Sequence, residues 1–472
     1  MDPEIPTTTA APTTQTLSRR KMLAGAGVLG LGGALGVGYL MRERSDASIS
    51  GDRARAAHLL RRAGFSPTVA EVDLAVKDGL TATTDRLLNP TASDTTLETR
   101  LSRDTFDFTR AADVRLWWLV RMASTERPLV EKMTLFWHGL LTSSYRKAGA
   151  KTDLMYVQNQ FLRAHALGSL RDLLVGITKD GAMLHWLDGT GSTRAHPNEN
   201  YARELMELFT MGVGNYTETD VRESARALTG WYVARDGSVS FRPAAHDNGS
   251  KTFLGHTGNL GLEDIVDIIL AHPATPRYIS TRLFQFFVHP SPTDAELKPA
   301  IDAYAQSKGN IRAIVGAILR SEAFYSGKAY RGLVKSPTEL TAGLLRQFNL
   351  PVNLHVAGAG EAMGQALLDP PNVAGWPGGS DWLSTGSWMA RARFLLYQSE
   401  QQREQVGRVL GSGKPEDVVA TAVKLMVDDD LTPRARGAIV DHARALNPAH
   451  LDSTGAAQVF FLVGATPEYQ LA

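Results

Sequence analysis

Residues 196–231 read HPNENYARELMELFTMGVGNYTETDVRESARALTGW, and two helical repeats with the turn between them are written in this stretch. Stepping by the helical period places Glu199, Asn200, Arg203, Glu204 and Glu207 on one side. Tyr201, Ala202, Leu205, Met206, Leu208 and Phe209 fall on the other. Pro197 suits a helix start, and Glu199 sits in the first turn, where the helix dipole favours a carboxylate. Gly212 and Gly214 end the helix and turn the chain. Thr217 with Asp220 three residues on is a capping-box start for a second helix, which turns Val221, Ala225 and Leu228 inward. The stretch reads as an αα-hairpin with one crowded polar face.

The same period dominates the chain on either side. Asp52 to Ala63 makes a helix stopped by Gly64, and Ser66-Pro67 reads as an N-cap and first helical residue for a helix toward Gly79. A polar spacer over 89–99 leads to a helix carrying Val114, Leu116, Trp117, Trp118 and Val120. Pro128 opens a helix whose apolar face holds Leu129, Val130, Met133, Phe136, Trp137, Leu140 and Leu141, with His138 outside that stripe beside Glu131 and Thr134. Further helices cover 154–165, 167–178, 278–288, 294–305, 311–321, 338–348 and 456–463. Trp231-Tyr232-Val233 and Ser238 to Phe241 flank Arg235-Asp236-Gly237, a hairpin turn, while 246–249 and 255–261 read as loop. A long loop, DPPNVAGWPGGSDW, spans 369–382. The fold class is mostly α, a large multi-helix orthogonal array with a minor β-hairpin near 231–241. Residues 48–472 form a single helical domain, with a C-terminal helical subdomain from about 385 as the candidate subdivision.

The chain has 472 residues, 43% of them hydrophobic and 21% charged, so a sizeable core is available. Fifty basic residues against 49 acidic ones leave a net charge of +1, and no basic block appears, which argues against nucleic acid as a partner. There is no cysteine, so disulfides, thiolate nucleophiles and Cys-ligated metals are excluded. Near the N-terminus, Ser18-Arg19-Arg20-Lys21-Met22-Leu23 precedes an apolar, Gly- and Ala-rich run from Met22 to Met41. Paired arginines before a weakly hydrophobic segment are the pattern of a twin-arginine export signal; the competing readings are a Sec-type signal or a single membrane helix. Ser45-Asp46-Ala47 is a poor cleavage site, so an uncleaved anchor on the outer face of the membrane stays open. Residues 1–47 are thus expected to be a leader plus signal or anchor, and the rest extracytoplasmic.

Seven segments then carry a resemblance: HLLRRAGF (58–65), FWHG (136–139), PNENYARELMELFTMGVGNYTETDV (197–221), ARALTGW (225–231), HDNGSKTFLG (246–255), KSPTE (335–339) and PPNVAGWPGG (370–379). They stand in the order of the bacterial "domain of unknown function 1800" family, which the chain resembles over nearly everything after the signal. The resemblance implies an exported protein, with a second exported protein encoded beside it as candidate partner, and no established reaction. Relatives often carry another histidine soon after FWH; here Gly139-Leu140-Leu141 follows.

The polar hairpin face holds three carboxylates and one guanidinium, so its excess negative charge calls for a cation. Either Arg222 or Arg226 of the next helix supplies it, making a buried ion-pair network, or a metal ion does. In the second case Glu199, Arg203, Glu204, Glu207 and His138 are the candidate catalytic residues. His138, Glu204, His246 and Asp247 are then the candidate ligands of one divalent metal that activates a water. Asn198, Asn200, Trp231, Trp376 and Trp382 are candidate substrate-binding residues, the two loop tryptophans either stacking on a sugar ring or plugging a core. Two functions remain open from sequence: a metal-assisted hydrolase acting on an envelope or extracellular polymer, and a non-catalytic envelope binding or assembly module.

Overall fold

The computed structural model describes residues 49–91, 94–103, 106–147 and 152–472, so the twin-arginine segment and the apolar run after it lie outside the described residues. The first helices are α1 (Asp52–Ala63), α2 (Val69–Asp78), α3 (Leu80–Leu88), α4 (Thr95–Arg103), α5 (Ala111–Ser124), α6 (Pro128–Leu140), α7 (Thr152–His165), α8 (Leu170–Thr178) and α9 (Gly181–Trp186). The hairpin follows as α10 (Glu199–Glu204), a π turn (Leu205–Thr210) and α11 (Glu218–Ala227). Four short strands come next, β1 (Trp231–Val233), β2 (Val239–Phe241), β3 (Lys251–Phe253) and β4 (His256–Gly258). Helices resume with α12 (Leu262–Ala271), α13 (Ala274–Phe287), α14 (Asp294–Ser307), α15 (Ile311–Arg320), α16 (Pro337–Phe348) and α17 (Leu354–Ala362). The chain closes with α18 (Thr385–Gln401), α19 (Arg403–Leu410), α20 (Pro415–Val427), α21 (Pro433–Leu446), α22 (Ser453–Gly464) and α23 (Pro467–Gln470). No helix among the described residues is long and apolar enough to cross a membrane. The fold is mostly α, as its periodicity requires.

Local chemistry accounts for the departures from the sequence reading. The cap of α2 is Thr68 rather than Ser66, because Glu71 three residues on closes a capping box with it; Ser66 is left at φ 51. The 89–99 spacer is helical from Thr95. The hairpin near 231–241 forms, with Trp231 opposite Phe241, but 255–261 is not all loop: β3 and β4 make a second antiparallel pair, reversed at Leu254 (φ 46) and Gly255 (φ 83). The helix from Glu199 does not stay α to Met211; from Leu205 its hydrogen bonds widen, with Met211 N–H donating to Met206 O at 2.8 Å.

Two large apolar cores result. One gathers Leu59 of α1 and residues of α6 through α15, including Leu174, Phe209, Ile265 and Phe284. The other gathers Phe65, α5 and the helices from α16 onward, so those beyond residue 385 share it with Trp117 and Phe348. Helix α6 lies where they meet, giving Met133, Phe136 and Trp137 to the first and Leu135 to the second. It is buried on all sides, and Glu131, Lys132, Thr134 and His138 are buried with its apolar stripe. A helix buried on every face tolerates polar residues only if each is satisfied. Glu131 receives the Arg163 guanidinium and the Trp118 Nε1–H (3.0 Å), Thr134 donates to Val130 O (2.8 Å), and Lys132 pairs with Glu339.

Candidate functional site

The hairpin face is half-exposed and largely self-satisfied. Arg203 reaches across to Glu218 with two bonds, 2.7 and 2.8 Å, and lies 3.5 Å from Glu199. Glu207 accepts from the Tyr216 hydroxyl. Glu204 keeps no ion pair among the described residues; burial and then Glu207 push its carboxyl up. The expected cation for this face is neither Arg222, which donates to Thr219 (2.9 Å), nor Arg226, which binds Glu223 and Asp247. Asn198 caps α10 by accepting from Asn200 N–H (2.8 Å), and Asn200 donates to Asp188 (3.2 Å). Trp231 packs on Phe241 with Lys179 over its ring.

The four candidate metal ligands are not gathered. Asp247 is taken up by Arg226, His246 Nδ1 meets Thr229 O (2.9 Å), and His138 is buried on another helix against Trp118 and Trp376. Among the described residues no group of three or more His, Asp or Glu side chains is placed to hold a metal ion. The expectation of a His138, Glu204, His246, Asp247 centre is therefore corrected: helix packing separates residues that a sequence cannot place.

A cavity of about 270 Å³ opens instead at the seam between the two cores. Leu135, Phe136, Gly139 and Leu140 of α6 line it with Arg282, Gln285 and Phe286 of α13. Leu333, Val334, Ser336, Glu339, Gln365, Trp376, Pro377, Gly379 and Trp382 complete the wall. It joins three of the segments quoted above, FWHG, KSPTE and PPNVAGWPGG. Of the sequence-predicted residues it brings together Trp376 and Trp382; His138 stands behind Trp376, and Asn198, Asn200, Trp231 and the hairpin acids do not line it.

Each segment has a local reason to be there. Ser336 caps α16 with Pro337 at its first position, and Glu339 closes the box. Gly375, at φ +90, sits so close to α6 that a Cβ on it would lie 2.6 Å from Gly139 O. Thr142 pins the same loop by donating to Val373 O (2.6 Å), and Ser144 and Arg146 hold Asp369. His138 Nε2 accepts from Leu368 N–H (3.1 Å), so the imidazole is neutral with its proton on Nδ1; burial pushes its pKa down to about 4. Its ring fills the space between Trp118 (5.4 Å) and Trp376 (5.3 Å), which makes it a support for the cavity wall.

The wall offers aromatic faces and polar groups with unused capacity. Gln365 Oε1 accepts from Thr338 N–H (3.0 Å), and its Nε2 donates to nothing among the described residues. Gln285 Nε2 donates to Pro290 O (3.0 Å), leaving its Oε1 open. Ser336 Oγ accepts from Glu339 N–H (3.1 Å), and its hydroxyl is turned to the Glu339 carboxylate, so it is engaged within its own capping box. Glu339 is the one carboxylate in the wall, with 17% of its side chain open. Burial alone would push it up, but the Lys132 ammonium and the Ser336 N–H outweigh that and hold it below the usual value. Lys132 also donates to Gly64 O (3.1 Å) and lies over the rings of Phe65 and Phe286, which brings HLLRRAGF to the same place. The Lys132–Glu339 pair was missed from sequence because its members stand 207 residues apart. The signal was present in the neighbouring segments, not in any spacing. A second groove, between α17 and α18 around His355, Arg393 and Tyr397, contains none of the seven segments.

A family model described as "Protein of unknown function (DUF1800)" matches residues 58–471. The chain belongs to that family. No curated protein and no solved structure matches it.

Proposed function

We propose that this is an exported binding protein whose cavity holds a sugar unit of an envelope or extracellular polymer. The observation that carries the reading is the wall itself: Trp376, Trp382, Phe136 and Phe286 around the Gln365 and Gln285 amides, whose Nε2 and Oε1 have no partner among the described residues. Aromatic faces stack on the apolar side of a sugar ring, and amides serve its hydroxyls. The volume lies just below the range of about 300–1,000 Å³ usual for ligand pockets, which suits one sugar unit rather than a long segment. Binding is favoured over hydrolysis because glycoside cleavage uses two carboxyl groups, and Glu339 stands alone in the wall among the described residues, tied to Lys132. The twin-arginine pattern at Arg19-Arg20 supports export.

The test is a screen of envelope and extracellular polysaccharide fragments by calorimetry, with Trp382→Ala as control. Binding lost at least tenfold in a folded Trp382→Ala protein is the expected result. Affinity unchanged by that substitution, or no saccharide bound, would remove the reading.

A further inference from the structure

We infer that the sugar unit held in this cavity carries an anionic group, a carboxylate or sulfate, which pairs with Arg282. The inference rests on the sugar-binding reading and specifies the class of sugar.

Arg282 lines the cavity from α13, is half-buried, and makes no hydrogen bond or ion pair among the described residues. Several other half-buried or buried arginines are engaged, Arg163 by Glu131, Arg115 by Glu361 and Arg226 by Asp247, while Arg55 and Arg127 have no carboxylate partner but line no part of the cavity. A guanidinium left unpaired beside Phe286 and a concave wall is placed for a planar anion, which its fork binds with two parallel bonds.

The second observation is the charge behind the wall. Arg61, Arg62, Lys132, Arg331, Lys335 and Arg391 are all buried there, each 5% exposed or less. The carboxylates facing them are Glu339, Asp428 and Asp430, with Glu468 and the α-carboxylate of Ala472 at the edge, so six basic side chains meet five carboxylates. Arg62 and Arg391 have no carboxylate in hydrogen-bond reach and spend their donors on neutral oxygens. Arg62 donates to Val288 O and Ala329 O; Arg391 donates to Trp382 O, Lys335 O and Gln470 Oε1. Lys335 Nζ lies 3.9 Å over the Tyr469 ring, and burial, then Arg61 and Arg331, push its pKa well down. Two of the carbonyls that hold Arg391 belong to Trp382, in the wall, and to Lys335, between the wall residues Val334 and Ser336, so the Arg391 guanidinium sits directly behind the cavity. Positive potential focused into a low-dielectric cleft favours an anion. Glu339 opposes it, but Lys132 neutralises that carboxylate by direct contact.

The experiment is calorimetry at low and moderate salt with three probes: an oligouronate, the same oligomer with its carboxyls reduced to alcohols, and a sulfated neutral oligosaccharide. At least a tenfold preference for one charged probe over the reduced one is expected, weakening with salt, lost in Arg282→Gln and partly kept in Arg282→Lys. Which charged probe is preferred tells carboxylate from sulfate. Equal affinity for the reduced oligomer, or a preference that survives Arg282→Gln, overturns the inference and leaves the sugar reading intact. If none of the three binds, both are overturned. Arg282 makes no internal bond, so circular dichroism of its variants should match the parent.

Discussion

Removing the charge of Glu339 should be the most damaging conservative substitution in the molecule. Its carboxylate contacts Lys132 directly and is coupled through space to Arg62, Lys335 and Arg391. Breaking a buried ion pair from one side costs about 3–5 kcal/mol, because the remaining charge stays buried without compensation. Glu339→Gln leaves Lys132, Arg62 and Arg391 buried without that carboxylate, so its cost falls at the upper end. Lys132→Met leaves Glu339 with Arg62 and Arg391 still near, so its cost falls at the lower end, and the double variant should recover part of the loss. Against a total stability of about 5–15 kcal/mol, Glu339→Gln would remove a third or more. Urea unfolding followed by tryptophan fluorescence measures all three proteins. The pH dependence gives an independent check. Glu339 is held below its ordinary value near 4.5, so its contribution is complete above that pH and is lost as pH falls below it. Wild type should lose stability steeply there, and Glu339→Gln less so. A Glu339→Gln protein within about 1 kcal/mol of wild type, or less stable Lys132→Met than Glu339→Gln, would refute the reasoning.

Four further outcomes follow from the same geometry. Burial pushes Asp180 up to about 6 from an ordinary 3.8, so its charged form opposes folding and stability falls as pH rises through about 6. Asp180→Asn should gain roughly 2–3 kcal/mol at pH 8 and little at pH 4, by urea unfolding. His138→Ala should cost about 2–4 kcal/mol through an unpaired Leu368 amide and an empty ring volume; in wild type the neutral imidazole loses its stabilising contribution as pH falls from about 6.5 toward 4. Gly375→Ala, at φ +90 and against Gly139 O, should shift the loop, cost about 1–3 kcal/mol and lower saccharide affinity, read by calorimetry and thermal unfolding. Arg203→Ala should cost less than about 1 kcal/mol, as partly exposed pairs do; a larger loss in urea would restore the hairpin face as a structural centre.

The helical body was legible because apolar period and capping residues are local. Asp52 to Ala63, the Thr217–Asp220 box and the Gly212–Gly214 turn all stand where their chemistry put them. The π turn after Glu204 was not legible, since tertiary packing selects a hydrogen-bond register that side-chain spacing does not encode. The site was legible only in fragments. Trp376 and Trp382 drew notice as large aromatics in a long ordered loop, and they do line a cavity. The hairpin acids are crowded in sequence, but on a half-exposed face Arg203 pairs with Glu199 and Glu218, the Tyr216 hydroxyl serves Glu207, and Glu204 is left without an ion pair among the described residues. The Lys132–Glu339 pair and the cations around it come from five separate helices and loops, so no window of sequence holds their imbalance. His138 stands beside Glu131 and Thr134 outside the apolar stripe of its helix, and a second core covers that face, which no local spacing encodes.

Hydrogen exchange of the protein with and without a bound acidic oligosaccharide tests the location of the site most directly. Added protection should appear in 135–140, 282–286, 333–339 and 365–382, with the 199–218 hairpin unchanged. Protection of the hairpin, or of the groove around His355 and Tyr397, with none at the seam between the cores, would contradict it.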